Sequence, residues 1–187
     1  MKKTVKLISA VLIGLLFVAD AYAETASWKD TNAQVTALYQ QGRYVEALSK
    51  AQAALKLAES SFGPNSPETA LSLNNLALIY KKQKKYTSAE PLYERALSIS
   101  EKVVGKDHQD LAVPLNNLAL LYQAEGNYTK ANEYASRALA ILEKAYGKNH
   151  PNVALALEKY AVIKRQAGRI QEAEGMESRA AAIRRGL

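Results

Sequence analysis

Displaced against itself by 42 residues, the sequence aligns residues 70–111 with residues 112–153 without a gap, and 20 of those 42 positions are identical. "LNNLA" stands at residues 73–77 and again at 115–119. The same offset connects Tyr44, Tyr86 and Tyr128, then Ala47, Ala89, Ala131 and Ala173, then Gly63, Gly105 and Gly147. A unit recurring at fixed spacing predicts a stack of equivalent modules, each burying its apolar face only against its neighbours. About four copies fit, divided at 24–69, 70–111, 112–153 and 154–187, with the outer two more divergent.

Within a copy, Leu73, Leu76, Ala77 and Tyr80 fall at i, i+3, i+4 and i+7, one stripe of a helix. Ala89, Leu92, Tyr93, Ala96, Leu97 and Ile99 mark a second helix in the same way. Short polar turns, "KKQKKYT" and "AEGNYT", separate the two, so each copy is expected to be a helical hairpin. Gly126 and Gly168 are placed to end first helices in the left-handed conformation, and Gly105 and Gly147 to end second helices. Thr87 and Glu90 have capping-box spacing for the second helix, which would put Pro91 in its first turn. Ser66 before Pro67 is a good helix opening, and His108 and His150 occupy the corresponding slot in later copies. Pro114 would clash with a carbonyl one turn back if its helix began at His108, so that helix is expected to start nearer Asp110 or to bend. Small Ala77, Ala89 and Ala96 allow close helix approach. Tyr80, Tyr86 and Tyr93 fill wider gaps, which makes most of the eleven tyrosines scaffold rather than a ligand cage.

The first 23 residues have another grammar. Lys2, Lys3 and Lys6 precede the apolar run "LISAVLIGLLFVA", and "AYA" follows with small residues at Ala21 and Ala23. This is the pattern of a secretory signal peptide cleaved after Ala23. The run is 13 residues long, whereas a spanning helix needs about 20. A chain starting at Glu24 would reside in the periplasm or outside the cell, with no later segment apolar enough to span. Losing the leader removes three lysines and Asp20, leaving 22 basic and 17 acidic side chains, a net charge of +5. That modest excess suits solubility or a mildly acidic partner, and nucleic acid would require a denser basic stripe.

The order Leu76, Ala77, Tyr80, then Tyr86, Ala89, Tyr93 and Ala96 resembles the tetratricopeptide repeat. Its usual period is about 34. The surplus here lengthens the second helix ("RALSISEKVVG", "RALAILEKAYG"), and with "LNNLA", "AEPLYERAL" and "GKDHQD" the long unit is similar to the kinesin-light-chain type. The resemblance implies an all-α, right-handed superhelical solenoid of antiparallel helix hairpins. The first copy departs with "TNAQV" for "LNNLA", and the last with Ile170 and Glu177 where Tyr86 and Tyr93 stood; a polar Glu177 suits a capping repeat whose outer face meets water.

Residues that could carry chemistry are sparse. With no cysteine there is no disulfide, thiolate metal site or cysteine nucleophile. His108 and His150 are the only histidines and lack the further ligands a metal would need. Glu101 and Glu143 recur with the repeat, as solvated helix faces do. No phosphate-cradling glycine loop, serine elbow or nucleophile–base set stands out, so neither catalysis nor a cofactor is expected.

Surface remains. In arrays of this family the first helices line the concave face, and the resemblance places Leu71, Asn74, Leu78, Lys81 and Lys82 there. Val113, Asn116, Leu120 and Gln123 follow from the third copy, and Leu155, Glu158, Val162, Arg165 and Gln166 from the fourth. Asparagine offers both a donor and an acceptor to the backbone of a protein or peptide partner, while the same residues could simply keep the face wet. Asn75 and Asn117 are neighbours that can turn towards the helix packing. The lysine run "KKQKK" could equally offset a helix dipole. Assembly through the end repeats or the convex face of an envelope complex is the competing expectation. An enzyme or ligand carrier would need a deep pocket with converging polar groups.

Overall fold

The structure is a computed structural model describing residues 24–186; the expected leader lies outside the described residues. Those residues form eight α-helices. They are α1 (24–40), α2 (Tyr44–Phe62), α3 (Pro67–Lys82), α4 (Tyr86–Val104), α5 (Ala112–Glu125), α6 (Tyr128–Tyr146), α7 (Pro151–Gln166) and α8 (Ile170–Arg185). Consecutive helices pack as antiparallel hairpins, and the hairpins stack into an all-α solenoid of the right-handed superhelical kind.

Local chemistry sets the helix ends. Ser66 caps α3 by accepting the Thr69 amide at 3.1 Å, with Pro67 in the first turn where its missing donor is not needed. His108 and His150 act likewise, each Nδ1 accepting an amide two residues on, from Asp110 at 3.3 Å and from Asn152 at 3.1 Å. Residues Gln109–Leu111 form a 3-10 turn, so α5 proper starts at Ala112 and Pro114 falls in its first turn without clash. Gly126 ends α5 with φ 85° and ψ 4°, the left-handed conformation expected of it.

The expected capping box at Thr87 is corrected. Helix α4 begins at Tyr86 with Lys85 at its cap position and no side-chain cap, so Thr87 is already helical and Pro91 lies beyond the first turn. Glu90 is engaged elsewhere, since Tyr122 Oη donates to its Oε1 at 2.5 Å and Lys130 Nζ lies 3.1 Å from both oxygens. The carboxylate joins α4 to α5 and α6, and the Tyr122 and Lys130 hydrogen bonds hold its pKa below the ordinary value.

Alanine at one register lets the helices of every hairpin approach. Ala47, Ala89, Ala131 and Ala173 are all fully buried. Leu73, Leu115, Leu118, Leu121, Tyr93 and Tyr122 fill the core within and between hairpins. Fully burying one such leucine contributes about 1.5–3 kcal/mol. Trp28 ties the divergent first hairpin to the second, donating to Ser72 Oγ at 2.9 Å and packing edge-on against Phe62.

Polar clamps repeat with the same period. Arg95 pairs with Glu59 at 2.7 Å, Arg137 with Glu101 at 2.6 Å and Arg179 with Glu143 at 2.5 Å. Each of these arginines also donates to a loop carbonyl, of Pro64, Lys106 and Lys148 respectively. Glu101 and Glu143 are therefore not plain solvated positions. They recur because each second helix grips the one before it.

Candidate functional site

Side chains bridge successive first helices. Asn75 Nδ2 donates to Asn32 Oδ1 at 2.7 Å, Asn117 Nδ2 to Asn74 Oδ1 at 3.4 Å, and Gln123 Nε2 to Gln166 Oε1 at 2.9 Å, each across 43 residues of sequence. This rung alignment puts α1, α3, α5 and α7 side by side and makes one continuous face of them.

On that face the candidate residues divide. Asn74 is already engaged: its Nδ2 donates to the Ala70 carbonyl at 3.1 Å while its Oδ1 receives Asn117. Asn116 has no side-chain hydrogen-bond partner among the described residues and lines a cleft of about 290 Å³ bounded by α5, α6 and α7. The cleft has Val113, Leu142, Leu155 and Ala156 as its apolar lining, with Tyr146 and Lys159 at its margin. Leu120 and Gln123 border a second depression with Ala124, Tyr128 and Gln166. Leu78 lines a smaller one of about 60 Å³ with Val35, Tyr39 and Asn75.

The charged candidates divide as well. Glu158 accepts two hydrogen bonds from Arg184 at 2.6 and 2.8 Å, which lower its pKa, and Arg165 pairs with Glu177 at 2.7 Å. Both are committed to α8. Lys81 and Lys82 have no carboxylate partner among the described residues. Lys81 is half-buried, and burial together with neighbouring Lys82 lowers its pKa to about 8. Lys82 Nζ stands 6.0 Å from the centre of the Tyr39 ring.

Apolar groups that a core would be expected to claim remain in solvent here. Leu71 is 44% exposed, Val113 66% and Leu155 46%, all at one register in three successive first helices, and Val162 is 48% exposed further along α7. The rung function of Asn75 and Asn117 was not legible in the sequence, which shows adjacent asparagines but not which hairpin each one faces. Among the described residues no three His, Asp or Glu side chains come together as a metal-binding group, and no helix is long and apolar enough to cross a membrane.

An all-helical stack of hairpins with one continuous first-helix face defines a solenoid repeat protein. The tetratricopeptide repeat family model matches residues 30–102, 72–144 and 110–186, and the chain belongs to that family. Among solved structures it is similar to BtubC (BKLC) from P. vanneervenii, with 27% identity and a TM-score of 0.77 over 85% of this chain and 63% of that one. It is also similar to a protein of Podosopora anserina described as a putative kinesin light chain with nearly identical TPR-like repeats, with 22% identity and a TM-score of 0.75 over 85% of this chain and 75% of that one. A single-substitution variant of the latter gives 21% identity and a TM-score of 0.74 over the same shares of the two chains. The repeats are thus of the kinesin-light-chain-like type, while the chain spans less than two thirds of BtubC. No curated protein sequence matches it significantly. The scaffold is of a kind consistent with protein interaction.

Proposed function

We propose that the chain is an exported, non-catalytic adaptor that holds a protein or peptide segment along its first-helix face, in the periplasm or outside the cell. One observation carries this reading: Val113, Asn116 and Leu155 present exposed apolar surface and an unpartnered amide in a single cleft. Apolar patches left in water at one register favour a partner, and an amide beside them can hydrogen-bond a backbone of any sequence. Because the rungs and the Arg–Glu clamps already fix the face, binding would not have to order it. The basic and apolar pattern of residues 1–23 supports export.

Assembly through the end repeats has less in its favour. The outer face of α8 carries exposed Gln171, Glu174 and Ser178, as a capping surface does. The test compares complexes captured in the native cell by wild type, by a Val113→Ser, Asn116→Ala, Leu155→Ser variant, and by a Gln171→Lys, Glu174→Lys, Ser178→Glu variant, with helicity and thermal unfolding as folding controls. The reading expects the first variant to lose the wild-type partner and the second to keep it. The reverse result supports end-on assembly and overturns the groove.

A further inference from the structure

The four turns inside the hairpins are copies of one another, which makes them internal controls. Each passes through a positive-φ residue 42 positions from the next: Gly42 at 74°, Lys84 at 59°, Gly126 at 85° and Gly168 at 76°. Each closes with the same bond, from the amide of Arg43, Lys85, Asn127 or Arg169 to a carbonyl five residues back, at 2.8–2.9 Å. Glycine is the residue this geometry favours, and three of the four turns have it. Among the described residues Lys84 is the only non-glycine with positive φ. A strained position retained where sister copies avoid the strain is a reason to look for a use.

Charge separates the second turn from the others too. In the first turn Arg43 is paired with Glu46. In the fourth, Lys164 and Arg169 share Glu172 while Arg165 holds Glu177. In the third, the last turn of α5 has no basic residue, so the architecture does not need cations there to offset the helix dipole. The second turn carries Lys81, Lys82, Lys84 and Lys85 with no acidic residue anywhere from 69 to 89, and none of the four has a carboxylate partner among the described residues. The rings of Tyr39 and Tyr80 stand 6.0 Å from the Lys82 and Lys85 ammonium groups, which keeps them at the turn surface.

We propose that the α3–α4 turn docks an acid-rich segment of a partner protein, whose carboxylates pair with Lys81, Lys82, Lys84 and Lys85. The proposal rests on the groove reading only in taking the partner to be a protein. A flat anionic membrane would meet the sister turns along the same edge, where Arg43, Lys164, Arg165 and Arg169 are already paired with glutamates and Glu125 adds a negative charge. Nucleic acid would want cations spread over a whole face or along a helix, more than one turn supplies. A short run of carboxylates fits a single basic turn, and half-buried Lys81 would regain from such an anion the interaction that burial removes.

The test measures binding of fluorescein-labelled oligoglutamate to the full chain, beside phosphatidylglycerol vesicles and single-stranded oligothymidylate. Replacing the four lysines by Gln should weaken oligoglutamate roughly tenfold or more, the scale of losing several charge-assisted contacts. The Lys82→Glu, Lys85→Glu variant, which changes only exposed side chains, should do likewise. A charge-matched control, Gln at exposed Lys50, Lys56, Lys102 and Lys148, should bind like wild type, as should the Val113→Ser, Leu155→Ser variant. Equal loss in either control, binding by the lysine variants within about twofold of wild type (under 0.5 kcal/mol), or preference for vesicles or oligothymidylate overturns the proposal. Because the groove variant is read here against oligoglutamate and in the cell against native complexes, failure of the groove and failure of the basic turn give different patterns.

Discussion

The Asn75 amide donates to Asn32 across 2.7 Å, joining the second hairpin to the first on the face that the first helices share. Asn116, on the same face, has no such partner among the described residues. Architecture and recognition are therefore separable by mutation. Asn75→Ala should cost about 1 kcal/mol, the usual net worth of a partly buried hydrogen bond, and lower Tm by about 2–4 °C for a chain this size. Asn116→Ala should leave Tm within about 1 °C, because no bond is lost, while weakening partner capture. Differential scanning calorimetry on the two variants checks the contrast.

Lys84 is held at φ 59° where its sister turns have glycine. Lys84→Gly should raise stability by roughly 0.5–1 kcal/mol, the left-handed strain less the entropy glycine gives up on folding. Urea unfolding should show the midpoint moving up at constant m-value.

Lys81 predicts a pH dependence of definite sign. Its native pKa is lowered to about 8 from 10.5, so between those values the unfolded chain binds more protons than the folded one. Stability should rise with pH across that window, because deprotonation relieves the half-buried ammonium. The difference between wild type and Lys81→Gln isolates this contribution from tyrosine titration. Wild type should gain stability relative to Lys81→Gln from pH ~7.5 to ~10, the interval that brackets the lowered pKa, and a flat difference would contradict the burial of Lys81.

The Arg137–Glu101 clamp spans 2.6 Å between successive second helices and has loop support through the Lys106 carbonyl. A double-mutant cycle with Arg137→Met and Glu101→Gln should give a coupling of roughly 0.5–1 kcal/mol, kept modest by partial exposure and reduced by salt.

Much of the fold was legible because it is local or periodic. The 42-residue offset revealed the stack, and the caps at Ser66 and His150 and the glycine at Gly126 follow from neighbouring backbone. Pro114 by itself constrains where α5 can start. What the sequence hid depends on partners in another hairpin. Trp28 finds Ser72, Arg137 finds Glu101, and Glu90 receives Tyr122 instead of serving a capping box, because tertiary packing decides where long polar side chains end. That the candidate residues lie on first helices was legible from their positions in the repeat. Which of them stay available was not: Glu158 and Arg165 are taken by α8, whereas Asn116 and the lysine turn are left open.

The central claim, that the first-helix face receives a protein segment, is tested most directly by photo-crosslinking in the native cell. A photoreactive residue is placed at Leu120 on α5 or, as the opposite control, at exposed Ala140 on α6. The account predicts a discrete cross-linked partner from Leu120, none from Ala140, and loss of the product when Val113 and Leu155 become serine. A partner captured from Ala140 and not from Leu120 would contradict it.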